Sequence, residues 1–273
     1  MNIIDKTGEY INHILGENNP VAYENSYPAL FEHYYRFWAK KGRPFVSLTE
    51  KEVATRSSFI LNELPDIEKK FTASGLNISN LDIVLFVGQD TSNGHAFKDD
   101  GKMVVWIPIE SYVTSILARV FITHEIIHAL HYIKSPDYYT ENHEDLRRMS
   151  RELLTEGLAT YLTAKILNID NLTALWADYL PDDQAKAWLD ECERRETELF
   201  KYIFDNYDQN APNIRLFQAA DPDDILKFRS GYYAGMQIVE RIGRDMGIRP
   251  VELLDIPRDE FERAAYRLLE NLR

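Results

Sequence analysis

One cysteine, Cys192, is present in 273 residues, so no internal disulfide can form and stability has to come from packing. It lies in the charge-rich stretch DECERRETELF without metal-ligating neighbours and reads as an ordinary helix residue. No segment approaches the ~20 consecutive apolar residues that span a bilayer. The first residues, MNIIDKTGEYINHILGENNP, lack a basic region followed by an apolar run. A cytoplasmic location with no membrane partner is the resulting expectation. Basic residues are in the minority, 31 Lys and Arg against 44 Asp and Glu, and the net charge of -13 repels phosphate backbones and anionic headgroups. Nucleic acid is therefore not an expected partner. Internal repeats and low-complexity tracts are also missing, and the structureless candidates, such as GQDTSNGH and KSPDYYTENH, are short.

What the chain does have is apolar material, 45% hydrophobic and 12% aromatic residues, enough at this length to fill a large core. One domain over 1–273 is expected, with a helical part at 1–75, strands and chemistry-bearing helices at 76–168, and a second helical part at 169–273. The first part should hold a helix over 23–40. Another should be opened by Ser47 or Thr49 as cap, with Val53, Phe59, Ile60 and Leu64 inward, and stop at Pro65. Short helical turns are expected to continue to Phe71. Two strands stand out, LDIVLFVG at 81–88 and KMVVWIPIE at 102–110, both rich in β-branched and aromatic residues. Pro108 cannot donate a ladder hydrogen bond, so the second strand, or its end, is expected at a sheet edge, where an extended peptide can add. Helical patterns follow at 112–134, 144–167, 181–207, 231–246 and from 257 to the last residue, with DNYDQNAPN and GIRPVELLDIP as punctuation. The class is α+β, mostly helical, with a small sheet preceding the first of the chemistry-bearing helices.

That helix contains HEIIH. His124 and His128, four residues apart, sit about 40° apart around the axis and one turn apart along it, so both imidazoles can reach one ion. Ile126, Ile127 and Leu130 point the other way, which predicts one face in the core and one open to a cleft. Zn2+ accepts neutral imidazole nitrogens, and a catalytic site uses three protein ligands and keeps one position for water. Glu125 is then placed to act as general base on that water and to return the proton to the leaving group.

The third ligand has to come from farther along, because His131 and Lys134 stand where the metzincin pattern has a glycine and a further histidine. RELLTEGLATYL offers Glu156, followed by Gly157 in mid-helix. Glycine there costs about 1 kcal/mol relative to alanine, and close approach to the HEIIH helix is a reason for it. The bland alternative is that Glu156, with Glu152, Thr160 and Thr163 on one stripe, faces water. Glu152, His143 and Glu144 are competing ligands, and His131 reads as lining the cleft or supporting a ligand.

HEIIH followed by ELLTEGLATYL resembles the gluzincin pattern of zinc peptidases, in which a glutamate of the following helix is the third ligand. More closely, the series of strand pair, GHAFKDDGKMVVWIPIESY, HEIIH helix, TEGLATY helix and GYYAGMQIVERI is similar to a family of predicted zinc-dependent proteases related to gliding-motility lipoproteins. The resemblance spans 81–242. It implies a zincin-like core, zinc at His124, His128 and Glu156, and a peptide or protein substrate. The thermolysin-like version has an aspartate four residues after its glutamate ligand, where Thr160 stands here. For the oxyanion, Tyr232 and Tyr233 are the candidates, with Arg229 and His95 behind them, and the resemblance favours Tyr232. A metal-stabilised binding protein without catalysis and a hydrolase of non-peptide amides are the alternative functions. Oligomeric state stays open.

Overall fold

In the computed structural model, which describes residues 1–209 and 216–272, the chain divides into two compact units, Met1–Ala129 and Leu130–Arg273. The division falls inside a helix. In chain order the first unit contains β1 (Asn2–Asp5), α1 (Thr7–Tyr10), α2 (Pro20–Asn25), α3 (Pro28–Phe37), α4 (Glu50–Ala73), β2 (Asp82–Phe86), β3 (His95–Asp99), β4 (Lys102–Pro108) and most of α5 (Ser115–Lys134). The predicted helix over 23–40 is thus broken into α2 and α3, at Ser26 and Tyr27.

Thr49 caps α4: its hydroxyl accepts from the Glu52 amide and the Glu52 carboxylate accepts from the Thr49 amide. The helix does not stop at Pro65 but runs through it to Ala73. Pro65 removes the amide that would serve the Leu61 carbonyl, and both residues lie on the exposed side, where water can take its place.

The β-branched runs form a mixed sheet in the order β1-β2-β4-β3, with β1, β2 and β4 parallel and β3 antiparallel to β4. Sequence reading found β2 and β4 but neither outer strand. It also put the second strand, or its end, at an edge: β4 as a whole is internal with β3 as the edge beside it, and only its end runs past the pairing with β3. Pro108 is tolerated because pairing with β3 ends at His95↔Trp106, so only the last residues of β4 lie beyond it on that side. Trp106, Phe86, Tyr34 and Phe31 meet edge to face over the sheet, and all four are buried.

The second unit contains α6 (His143–Leu146), α7 (Met149–Leu167), α8 (Asn171–Trp176), α9 (Asp182–Arg194), α10 (Glu196–Asp205), α11 (Ser230–Met246) and α12 (Arg258–Leu272). The helix expected at 144–167 is two, since Arg147 and Arg148 leave helical geometry between α6 and α7. The one expected at 181–207 is also two, interrupted at Arg195. The latter part of DNYDQNAPN and Arg273, the last residue of the span expected to be helical from 257, lie outside the described residues. Helix α7 ends at Asn168 in the left-handed region, φ 56°, a conformation asparagine tolerates.

Helices α7 and α11 meet at two glycines. A Cβ on Gly157 would lie 2.3 Å from the Gly235 carbonyl carbon, and one on Gly235 would lie 2.4 Å from the Leu153 oxygen. The glycine after Glu156 therefore serves α11 and not the HEIIH helix. Among the described residues no helix is long and apolar enough to cross a membrane.

Candidate metal centre

Helix α5 is almost entirely apolar around HEIIH, and every residue from 120 to 132 is buried. His124, Glu125 and His128 are 7, 6 and 4% exposed, so the predicted open face is close to closed. The two imidazoles lie one above the other as the four-residue spacing requires, with their Nε2 atoms 3.0 Å apart.

Glu156 comes from α7. The start of that helix is fixed within its unit by Arg151, whose buried guanidinium donates from Nε and Nη2 to the Tyr138 carbonyl at 3.1 and 2.8 Å. Thr160 and Thr163, which the bland alternative put on a water-facing stripe with Glu156, are buried, and their hydroxyls donate back to the carbonyls of Glu156 and Ala159, both at 2.8 Å. Thr160 thus spends its hydroxyl on the backbone of Glu156 itself.

One ligand atom from each of His124, His128 and Glu156 lies within 4.8 Å of the others, and this group of buried and half-buried side chains can hold a metal ion. Tetrahedral zinc with bonds of about 2.0–2.1 Å to imidazole sets ligand atoms about 3.3 Å apart, so the histidine pair is within a few tenths of an ångström of that edge. The donor set, two neutral nitrogens and a carboxylate, suits a borderline cation. Glu152, one turn before Glu156, is pushed up to about 8 by desolvation and then by the Glu156 charge. A cation at Glu156 would relieve that repulsion. Glu152 is not in the group, nor are His143 and Glu144, which are exposed on α6.

His131, 1% exposed, packs with its ring tilted against Tyr138, ring centroids 4.2 Å apart, and so does not line an open cleft. Tyr232 packs edge to face on Phe217 and holds the Arg229 guanidinium 4.5 Å from its ring centroid. Arg229 also covers Trp176 and donates to the Leu175 carbonyl. Tyr233 is taken by Glu196, to which its hydroxyl donates at 3.1 Å. His95 lies in an aromatic group with His33, Trp38 and Trp106.

Sequence reading missed Gly94. A Cβ there would sit 2.7 Å from Cγ of Glu125, so the backbone just before β3 rests on the side chain assigned as base. Its only sequence signal is a glycine at a loop-to-strand junction in SNGH. Comparison of the chain with protein-family models, curated proteins and solved structures finds no match, and the centre is interpreted from its own residues.

Proposed function

We propose that the protein is a zinc metallopeptidase of the gluzincin kind, with His124, His128 and Glu156 as ligands and Glu125 as general base. The observation behind this reading is the convergence of three ligand atoms within 4.8 Å, from residues whose sequence pattern is that of a catalytic zinc site. Zinc held there would act as a Lewis acid on the scissile carbonyl and raise the acidity of the attacking water. Glu125, adjacent to one ligand and largely shielded from solvent, would take the proton from that water as its oxygen bonds to the carbonyl carbon. It would then deliver the proton to the nitrogen as the C–N bond breaks. Two features support a peptide over a smaller amide. β3 is the outermost strand in the sheet order, and the residue before that strand rests on Glu125. An extended chain adding to β3 would run past the base.

The test is direct. Purified protein should bind about one zinc per chain, and Glu125→Gln should keep the zinc and lose hydrolysis of a peptide library. Full activity in that variant rules out the proposed base. Zinc binding with no turnover in the wild type would make the chain a metal-stabilised binding protein instead.

A further inference from the structure

The loop of residues 88–94, between β2 and β3, ends at Gly94 against the Glu125 side chain, so whatever fixes this loop also fixes the space left to Glu125. Three consecutive residues after β4 bind it. The Glu110 carboxylate accepts from the Gly88 amide through both oxygens, at 3.0 and 2.9 Å, and from the Asp90 amide at 3.2 Å. The Ser111 hydroxyl donates to the Ser92 carbonyl at 3.2 Å, and the Tyr112 hydroxyl donates to the Asn93 carbonyl. Between the two amides held by Glu110, the Gln89 amide donates to the Tyr34 hydroxyl. The amides on either side of Gln89 thus converge on one carboxylate, an anion site filled by the protein's own side chain. Gly88 leaves the room for it, since a Cβ there would be 2.7 Å from the Glu110 oxygen.

We infer that Glu110 is a positioning residue for the base: it anchors the 88–94 loop, and through Gly94 that loop holds the Glu125 carboxylate in place for reaction. This rests on Glu125 being the base, as proposed above. The geometry makes Glu110 a costly choice for a merely structural role. It is 6% exposed, and burial pushes its carboxyl up to about 7 against the lowering effect of the loop amides. The charged and titratable groups around it are Asp90 in the loop, Tyr10, Tyr23, Tyr34 and Tyr112, and Arg56 of α4, which donates to the Glu110 carbonyl oxygen.

Zinc-loaded wild type, Glu110→Gln, Glu110→Ala and Gly94→Ala proteins separate the outcomes. Glu110→Ala should speed hydrogen exchange at the Gly88 and Asp90 amides by more than about tenfold and lower kcat by roughly ten- to a hundredfold, with KM and zinc content unchanged. Glu110→Gln, which keeps one acceptor oxygen, should recover part of both. Gly94→Ala should lower kcat without changing exchange at Gly88 and Asp90, and it keeps the question answerable if Glu110→Ala does not fold. Wild-type exchange and wild-type kcat in Glu110→Gln, together with wild-type kcat in Gly94→Ala, would overturn the inference. If the wild type hydrolyses no peptide while the Glu110 variants still free the loop, the peptidase reading fails and the anchoring by Glu110 stands.

Discussion

Replacing Gly157 with alanine forces α7 and α11 apart at the point where their backbones touch. The new Cβ would be 2.3 Å from the Gly235 carbonyl carbon and 2.5 Å from its oxygen, and both atoms are backbone that cannot rotate away. Carbon–carbon contact needs about 3.5 Å, so one helix has to shift by about 1.2 Å. Overpacking of this kind costs ~1–3 kcal/mol or more, and alanine returns about 1 kcal/mol through helix propensity. A net loss of about 2 kcal/mol is expected, a fall in Tm of about 4–8 °C at ~2–4 °C per kcal/mol for a chain of this order of size. Gly8→Ala is the control, because Gly8 has nothing within 4 Å of its added Cβ and also lies in a helix. There only the propensity gain remains and Tm should hold or rise. Thermal unfolding followed by circular dichroism reads both variants. If Gly157→Ala is as stable as Gly8→Ala, the close crossing of α7 and α11 is wrong. Because Glu156 precedes Gly157, a weaker zinc affinity should accompany the fall in Tm.

Glu110 gives stability a definite pH dependence. Its folded pKa of about 7 lies above the ordinary 4.5, so the folded protein holds a proton that the unfolded chain has lost between those values. Its contribution is complete below pH 4.5 and declines as pH rises through about 7, by roughly 3 kcal/mol at ~1.36 kcal/mol per unit. Urea unfolding at pH 5 and pH 8 should show that extra loss in wild type relative to Glu110→Gln, and a gain with rising pH would contradict it. Thr49→Ala removes the capping box of α4 and should cost about 1 kcal/mol, read from the denaturant midpoint at constant slope. Removing zinc with a chelator should lower Tm by an amount that grows with the zinc concentration of the untreated sample, whereas a chain that binds no zinc would not respond.

The histidine pair was legible because two ligands within one helical turn depend only on local geometry, and α5 forms where the apolar pattern of VTSILARVFITHEIIHAL places it. Glu156 was legible for the same kind of reason once its helix was recognised. Features that depend on distant chain were harder to read. The strand NIID is four residues long and three of them are exposed, so it has no alternation to detect, yet it pairs in parallel with β2 some 80 residues away. The strand HAFKD ends in charge and buries only Ala96 and Phe97. Pro65 looked like a helix end because the sequence does not say which way the orphaned carbonyl faces. Gly157 announced a close approach, and only the folded chain identifies its neighbour as Gly235. The open face expected on α5 was inferred from polarity, but His124, Glu125 and His128 are polar and buried together. Glu110, Gly94 and Tyr112 had no motif to mark them, since they act through backbone amides and carbonyls of one loop.

The central claim is that His124, His128 and Glu156 bind zinc as a set. A crystal of the zinc-loaded protein measured on both sides of the zinc absorption edge tests it in one experiment. A single anomalous peak should lie at about 2.0–2.2 Å from Nε2 of both histidines and from a Glu156 oxygen, with a fourth position left to solvent. A peak that omits Glu156 in favour of Glu152 or His143, or no peak at HEIIH, would contradict it.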